Sequence, residues 1–276
     1  MDNPVVYNIP VGMVEEYHGR SVIVRSDQAS ELVARVPEAY LKDLACVQLL
    51  SLDDEVEDLI HWGELVPVDI VMRDPAEFPK LYRYSDLLEN HPVRVSIPAV
   101  PGCSKAVKLA VSLNFAVKLV ISQQPDQALI EELARVLDLY LHRPNVAQPV
   151  EYFHSTFLSF FHGESATLWS IEEEDPAFIR YVTDEGKETI SPRLEGISFG
   201  ARGDSVVADY QRALLAEKGE CDGCEFWDIC GGYFKWPDKQ YDCDGVKSLF
   251  RTLKEAAGEL QRELKSFEVL QGEMQP

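Results

Sequence analysis

The sequence predicts an α/β protein with a parallel sheet, followed by a cysteine-rich module. Helical stretches alternate with short apolar runs up to about residue 142, and the alternation stops after Pro144. Strands that alternate with helices are typical of βαβ units on a parallel sheet. Four of the six cysteines then fall between residues 221 and 243. We therefore expect a β/α part over residues 1–164 and a module with a C-terminal helix over residues 165–276.

The β/α part carries short strand-like runs at residues 5–9, 21–25, 46–50, 66–72, 93–97 and 116–121. Helices are predicted near residues 28–43, 53–62, 77–90, 103–113 and 126–142, the last with Asp126 as its N-cap. About five β/α units in a row build either an incomplete barrel or an open doubly wound sheet, and the alternation does not separate the two. Neither a GxGxxG motif nor a P-loop follows the early strands, so nucleotide binding is not predicted.

The residues after Pro144 follow a different pattern. An aromatic helix is predicted over residues 151–161, with Gly163 at its end. Strand signals follow at residues 166–171 and at 178–182, the latter with residues 189–190 across a turn. We then expect a glycine-rich loop over residues 196–204, a helix over 205–218 and a last helix over 245–267.

The charge balance excludes several classes of partner. The chain has 276 residues and a formal charge of -21, from 26 basic and 47 acidic side chains. Nucleic acids and anionic membranes are bound by clustered Lys and Arg, so neither is an expected partner. No signal peptide or membrane span is recognisable, and we expect a cytoplasmic protein. Thiols stay reduced in that compartment, so clustered cysteines indicate metal ligation more than disulfides.

The clustered cysteines are Cys221, Cys224, Cys230 and Cys243, separated by two, five and twelve residues. Thiolates bind zinc, copper(I) or iron-sulfur clusters. A structural zinc site usually has two close cysteine pairs, whereas this stretch has only the pair Cys221 and Cys224. The spacing favours an iron-sulfur cluster, with zinc as the alternative.

Glycines and aromatic residues surround these cysteines. Gly231 and Gly232 free the backbone to turn tightly and to offer amide N–H groups to an anionic sulfur. Bulky rings are expected to exclude water from the site, and they are Phe226, Trp227, Tyr233, Phe234 and Trp236.

The same stretch resembles the SPASM domains that are appended to radical S-adenosylmethionine (radical SAM) enzymes. The family signature CxxCxxxxxCxxxC, with one later cysteine, is matched here except at Phe234, where a ligand of a second cluster would stand. The resemblance implies one 4Fe-4S cluster, and all four clustered cysteines would be its ligands. It also implies that the β/α part is a partial barrel similar to the radical SAM barrel.

The chain departs from that family where the radical chemistry resides. Only Cys46 and Cys103 precede residue 221, so the CxxxCxxC motif that binds the SAM cluster is absent. No independent catalysis is therefore expected. Stand-alone SPASM proteins, such as the component of the GeoRSP system, accompany a radical SAM enzyme. The resemblance thus implies an accessory protein whose partners are a radical SAM maturase and its precursor peptide, with a role in substrate binding or electron relay. The alternative is a structural zinc-binding scaffold or interaction protein.

The remaining chemically active residues have simpler interpretations. Cys46 lies in an apolar strand and is expected to be a small core residue. Cys103 follows Gly102 at a predicted helix start and is a weaker candidate for a reactive thiol. The acidic runs at residues 53–58 and 172–175 are expected to be solvated.

Overall fold

A computed structural model of the chain describes residues 5–53, 55–144, 146–163, 166–194 and 206–273, with side chains up to residue 267. The loop predicted over residues 196–204 lies outside the described residues. The described residues form an α/β fold in which nine strands share one sheet. The strands are β1 (Val6–Pro10), β2 (Val22–Ser26), β3 (Leu44–Leu49), β4 (Val68–Val71), β5 (Val93–Pro98), β6 (Ala116–Val120), β7 (Val150–Glu151), β8 (Ile179–Val182) and β9 (Glu188–Thr189).

The sheet has the order β7-β6-β5-β4-β3-β2-β1-β8-β9. Neighbouring strands are parallel except β8 and β9, which pair antiparallel. The predicted class, an α/β protein with a parallel sheet, is confirmed. From β1 to β7 each strand lies beside the next in the chain, whereas a doubly wound sheet reverses its order at a switch point. The sheet is thus consistent with a partial (β/α) barrel.

Helices connect most of these strands. The α-helices of the described part are α1 (Ala29–Arg35), α2 (Glu57–Ile60), α3 (Cys103–Ser112), α4 (Gln127–His142), α5 (Phe153–His162), α6 (Leu168–Ile171), α7 (Val206–Ala216), α8 (Trp227–Cys230) and α9 (Asp244–Glu273). Short 3-10 segments cover Val11–Met13, Glu38–Asp43, Pro75–Glu89, Pro192–Leu194 and Tyr233–Lys235. Among the described residues, none of these helices combines the length and the apolar character needed to cross a membrane.

Local chemistry sets where several helices begin and end. Asp126 caps α4 by accepting from the Leu129 N–H at 2.8 Å, and Gly163 ends α5 in the left-handed conformation, both as predicted. The single helix predicted over residues 28–43 is instead α1 followed by a 3-10 segment, because Pro37 interrupts it. The predicted helix near 77–90 is a 3-10 segment that contains Pro79.

The strand predicted at residues 166–171 is wrong, because this segment forms α6. Leu168 and Trp169 are consecutive and both fully buried, whereas a strand with one exposed face would turn alternate side chains outward. The next segment does form the predicted hairpin. Its first strand, β8, pairs with β1, so residues after 164 extend the sheet of the β/α part. The boundary at residues 164 and 165 stays a prediction.

The two faces of the sheet have opposite chemistry. On one face Leu49, Ile70, Val95 and Val117 are cross-strand neighbours, all fully buried, and helix α3 contacts β5 and β6. The other face, which we call the inner face, carries the cross-strand row Arg25, Gln48, Asp69 and Arg94. Alternation of side chains along each strand separates the two sets.

Ion pairs join this polar row to the acidic run before β8. Asp69, whose side chain is 2% exposed, accepts from Arg94 at 2.8 Å. Arg94 also donates to Glu173 at 2.9 Å, and Lys118 donates to Glu173 at 2.7 Å. Glu172 is 5% exposed beside them. The prediction that this acidic run is solvated is therefore wrong, because buried cations on β5 and β6 recruit it to the inner face.

We expect Asp69→Asn to lower the free energy of unfolding by about 3 kcal/mol, since it removes one partner of a buried ion pair and leaves Arg94 undercompensated. The matched control is Asp27→Asn, which removes the carboxylate paired with Arg73 at the surface. There both side chains are more than half exposed, so a change below about 0.5 kcal/mol is expected. Urea unfolding measures both, and equal effects would contradict the role given to Asp69.

Candidate metal centre

The four clustered cysteines come from three neighbouring turns. Cys221 and Cys224 lie in the turns between α7 and α8, where the Cys224 N–H bonds to the Cys221 carbonyl at 3.2 Å. Cys230 is the last residue of α8, and Cys243 directly precedes α9. All four side chains line one cavity, and no disulfide joins them. The structure thus brings together the complete set that the sequence singles out.

This cavity is narrow and has mainly apolar walls. Its volume is about 20 Å³. The rings of Phe226, Phe234 and Phe250 form one side, with centroids 5.4 Å apart for Phe226 and Phe250 and 6.2 Å apart for Phe234 and Phe250. Cys221 and Cys243 are buried. Apolar walls of this kind limit the access of water to whatever the sulfurs bind.

The spacing of the four sulfurs bears on which cofactor fits. Around a single zinc ion with Zn–S bonds of about 2.3 Å, tetrahedral geometry places the sulfurs only about 3.8 Å apart. In the described chain, no three of the four cysteines have sulfurs that all lie within 4.8 Å of one another. A 4Fe-4S cluster places four irons and four sulfides between its thiolates, so its four thiolates stand farther apart than those of a single zinc ion.

Backbone amides point at one of these sulfurs. Gly231 and Gly232 both have positive φ, 54° and 75°, which reverses the chain directly after Cys230. The N–H groups of Phe234, Gly232 and Tyr233 then donate to the Cys230 sulfur, and each lowers its pKa. Burial acts in the opposite direction and is the larger effect, raising the pKa of Cys230 to about 11. The amides therefore form a small nest for an anionic sulfur, as the glycine pair predicts.

Burial also favours the protonated form of Cys221 and Cys243. Burial raises the pKa of Cys243 to about 12 and raises the pKa of Cys221. Neighbouring acidic groups, Glu220 among them, add to both shifts. A cation that binds these sulfurs must displace their protons, so its binding strengthens as the pH rises.

Two lysines supply positive charge at the cavity, a feature that the sequence reasoning missed. Lys235 and Lys247 line it together with Glu220, to which both lysines are ion-paired. Lys235 is buried and donates to the Tyr241 carbonyl. The only available signal was their position, five residues after Cys230 and four after Cys243. The two ammonium groups offset part of the negative charge that a metal-thiolate centre carries.

The centre is attached to the carboxyl end of β6. The Tyr233 hydroxyl donates to the carbonyl of Ile121, which follows β6, at 3.3 Å. The Gln124 amide donates to the Phe234 carbonyl at 2.9 Å, and the Trp169 indole N–H donates to the Gly231 carbonyl at 2.9 Å. These bonds orient the chain on both sides of the glycine pair and so position the Cys230 sulfur.

The two remaining cysteines lie apart from the centre. Cys46 is in β3 on the inner face, and burial raises its pKa. Cys103 begins α3 and is fully buried, and burial raises its pKa to about 11, which argues against a reactive thiol. A further group of potential ligands, Glu220, Asp242 and Asp244, is exposed near Cys243, but exposed acidic groups alone do not make a metal site.

No protein-family model, curated protein or solved structure matches this chain. The resemblance to SPASM domains therefore rests on the cysteine spacing alone. The assignment of these cysteines as ligands stays a prediction.

We expect Gly232→Ala to damage the centre. A Cβ there would lie 2.6 Å from the Leu214 Cδ2 atom, and the positive φ of 75° is strained for alanine. The free energy of unfolding should fall by about 1 to 3 kcal/mol, and the metal content per chain should fall with it. Denaturant unfolding and elemental analysis measure the two quantities.

The matched control is Gly219→Ala, two residues before Cys221. A Cβ at Gly219 meets no atom within 4 Å, and its φ is not in the left-handed range. This variant should keep the stability and metal content of the parent. Loss of metal in both variants alike would show that the backbone at Gly232 has no special part in the centre.

Proposed function

We propose that Cys221, Cys224, Cys230 and Cys243 bind one 4Fe-4S cluster, and that the chain assists a radical SAM enzyme in modifying a peptide or protein. The observation that supports this most is the shared cavity, which all four cysteines line. Backbone N–H donors and the two lysines fit the negative charge that such a cluster carries on its sulfurs. The cluster, when bound, supplies a one-electron redox centre.

The accessory role is inferred from what surrounds the centre. The chain has no CxxxCxxC motif, so a second protein must supply the radical chemistry. Cys224 and Cys230 are only partly buried, which leaves one side of the centre approachable by a partner. With a formal charge of -21, the chain steers basic surfaces toward itself. A radical SAM maturase and a precursor peptide are the partners that we propose, for electron relay or for substrate binding.

Elemental analysis after anaerobic purification tests the cofactor. We expect about four iron and four sulfide per chain with a brown colour, because four thiolates that line one cavity complete the ligand set of such a cluster. Cys224→Ala should lower the iron content severalfold, since it removes one ligand. The matched control is Cys46→Ala. The Cys46 sulfur lies on the inner face, so this variant should keep the iron content of the parent.

Zinc is the competing outcome of the same measurement. In that outcome the parent chain contains about one zinc per chain, which is retained in air and lost in Cys224→Ala. That result would contradict the iron-sulfur proposal and support the structural zinc-binding scaffold. Absence of both metals from the parent chain would overturn both functions. Iron content that is equal in the parent and in Cys224→Ala would overturn the ligand assignment.

The charge of Lys235 should tune the centre. Lys235→Gln removes a buried positive charge beside the sulfurs, so the reduced and more negative state becomes less favourable. We expect the reduction potential to fall on the order of 50 mV. Redox titration followed by electron paramagnetic resonance measures it. Lys239→Gln, at a more exposed lysine paired with Glu217, is the matched control and should leave the potential nearly unchanged, and equal shifts would contradict the role of Lys235.

A further inference from the structure

A second and larger cavity lies at the opposite end of the sheet from the cysteines. Its volume is about 630 Å³. The residues that line it stand at or near the amino ends of successive strands, and they include Ile23, Cys46, Val68, Arg94, Ala116 and Ile179. Cavities of about 300 to 1,000 Å³ with mainly apolar walls and a few polar groups are the usual form of small-ligand sites.

The ionised groups at this cavity carry more negative than positive charge. Arg94 and Asp69 line it and are paired with each other, and Glu173 joins them while also binding Lys118, which does not line the cavity. Among the described lining residues, one cation therefore faces two anions. Asp175 is the remaining carboxyl at the wall, and burial raises its pKa. A cavity with this balance has no surplus positive charge to hold an anionic ligand.

Hydrogen-bonding groups remain for a ligand. The Arg94 guanidinium uses one N–H for Asp69 and one for Glu173, and no described residue accepts from its other three. Gln148 lines the cavity, and its side-chain amide has no recorded partner among the described residues. His91 offers no free ring nitrogen, because both lie 2.9 Å from backbone carbonyls. The groups left for a ligand are therefore the remaining N–H donors of Arg94 and the side-chain amide of Gln148. Together they complement the N–H and C=O of a peptide group.

We propose that this cavity binds an uncharged apolar residue of a peptide. The side chain would occupy the apolar part of the cavity, between Ile23, Cys46 and Ile179, and the flanking amide groups would bond to Arg94 and Gln148. This site is separate from the cysteines. That its ligand is a peptide rests on the proposed function, whereas the preference for an uncharged apolar molecule rests on the cavity alone.

The test is binding of N-acetylphenylalaninamide to the full chain, followed by nuclear magnetic resonance. We expect saturable binding with a dissociation constant on the order of 1 mM, with chemical-shift changes at the residues that line the cavity. N-acetylphenylalanine, which differs by a negative charge, should bind at least about tenfold more weakly, because Asp175 and Glu173 lie at the wall. A neutral aromatic alcohol of similar size tests the peptide group, and it should bind more weakly than the amide.

Ala116→Phe fills the cavity from β6 and should weaken binding at least tenfold. The matched control is Ala147→Phe, at an exposed residue that does not line the cavity, and it should bind as the parent does. If Ala116→Phe does not fold, the residues of the parent chain whose chemical shifts change decide whether the ligand binds in the cavity. Absence of saturable binding, shifts confined to other surfaces, or equal binding of amide and anion would overturn the proposal. Iron analysis is independent of this outcome, so the two proposals fail separately.

Discussion

The carboxylate of Glu173 bridges Arg94 of β5 and Lys118 of β6, and this bridge holds the segment before β8 against the inner face. Two cations on neighbouring strands need a buried anion there, because an unpaired charge in the interior costs several kcal/mol. The same segment places β8 beside β1 and brings Trp169 to the Gly231 carbonyl. One wall of the cavity at the amino ends of the strands and the attachment of the cysteine module to the sheet thus both depend on the short segment that contains this acidic run.

The parts of the fold that local chemistry decides could be predicted from the sequence. The strands of the β/α part can be recognised in the sequence because the residues that the structure buries against the helices are apolar. The α/β class follows from the alternation of these strands with helices. Asp126 and Gly163 act as helix boundaries through bonds and a backbone conformation of their own. The four cysteines were recognisable by spacing, and so was the amide nest at Gly231 and Gly232.

The parts that were not predicted depend on contacts between residues far apart in the chain. The acidic run at residues 172–175 has the composition of a solvated surface, and only its pairing with Arg94 and Lys118 makes it an interior segment. The segment before it is apolar enough for a strand but forms α6, in which Leu168 and Trp169 are buried. Lys235 is an ordinary surface residue type whose place beside the sulfurs follows from the turn after Gly232. Local pattern contains none of this information.

The two cavities lie at opposite ends of the sheet, and the segment from Trp169 to Glu173 contacts the surroundings of both. Trp169 bonds to the backbone directly after Cys230, while Glu173 lines the amino-end cavity four residues later. Trp169 is fixed by a buried hydrogen bond, and Glu173 by partly buried ion pairs to Arg94 and Lys118. A ligand that shifts Glu173 therefore acts on the same rigid segment that orients the Cys230 turn. The proposed peptide site and the proposed cluster site are connected through this segment.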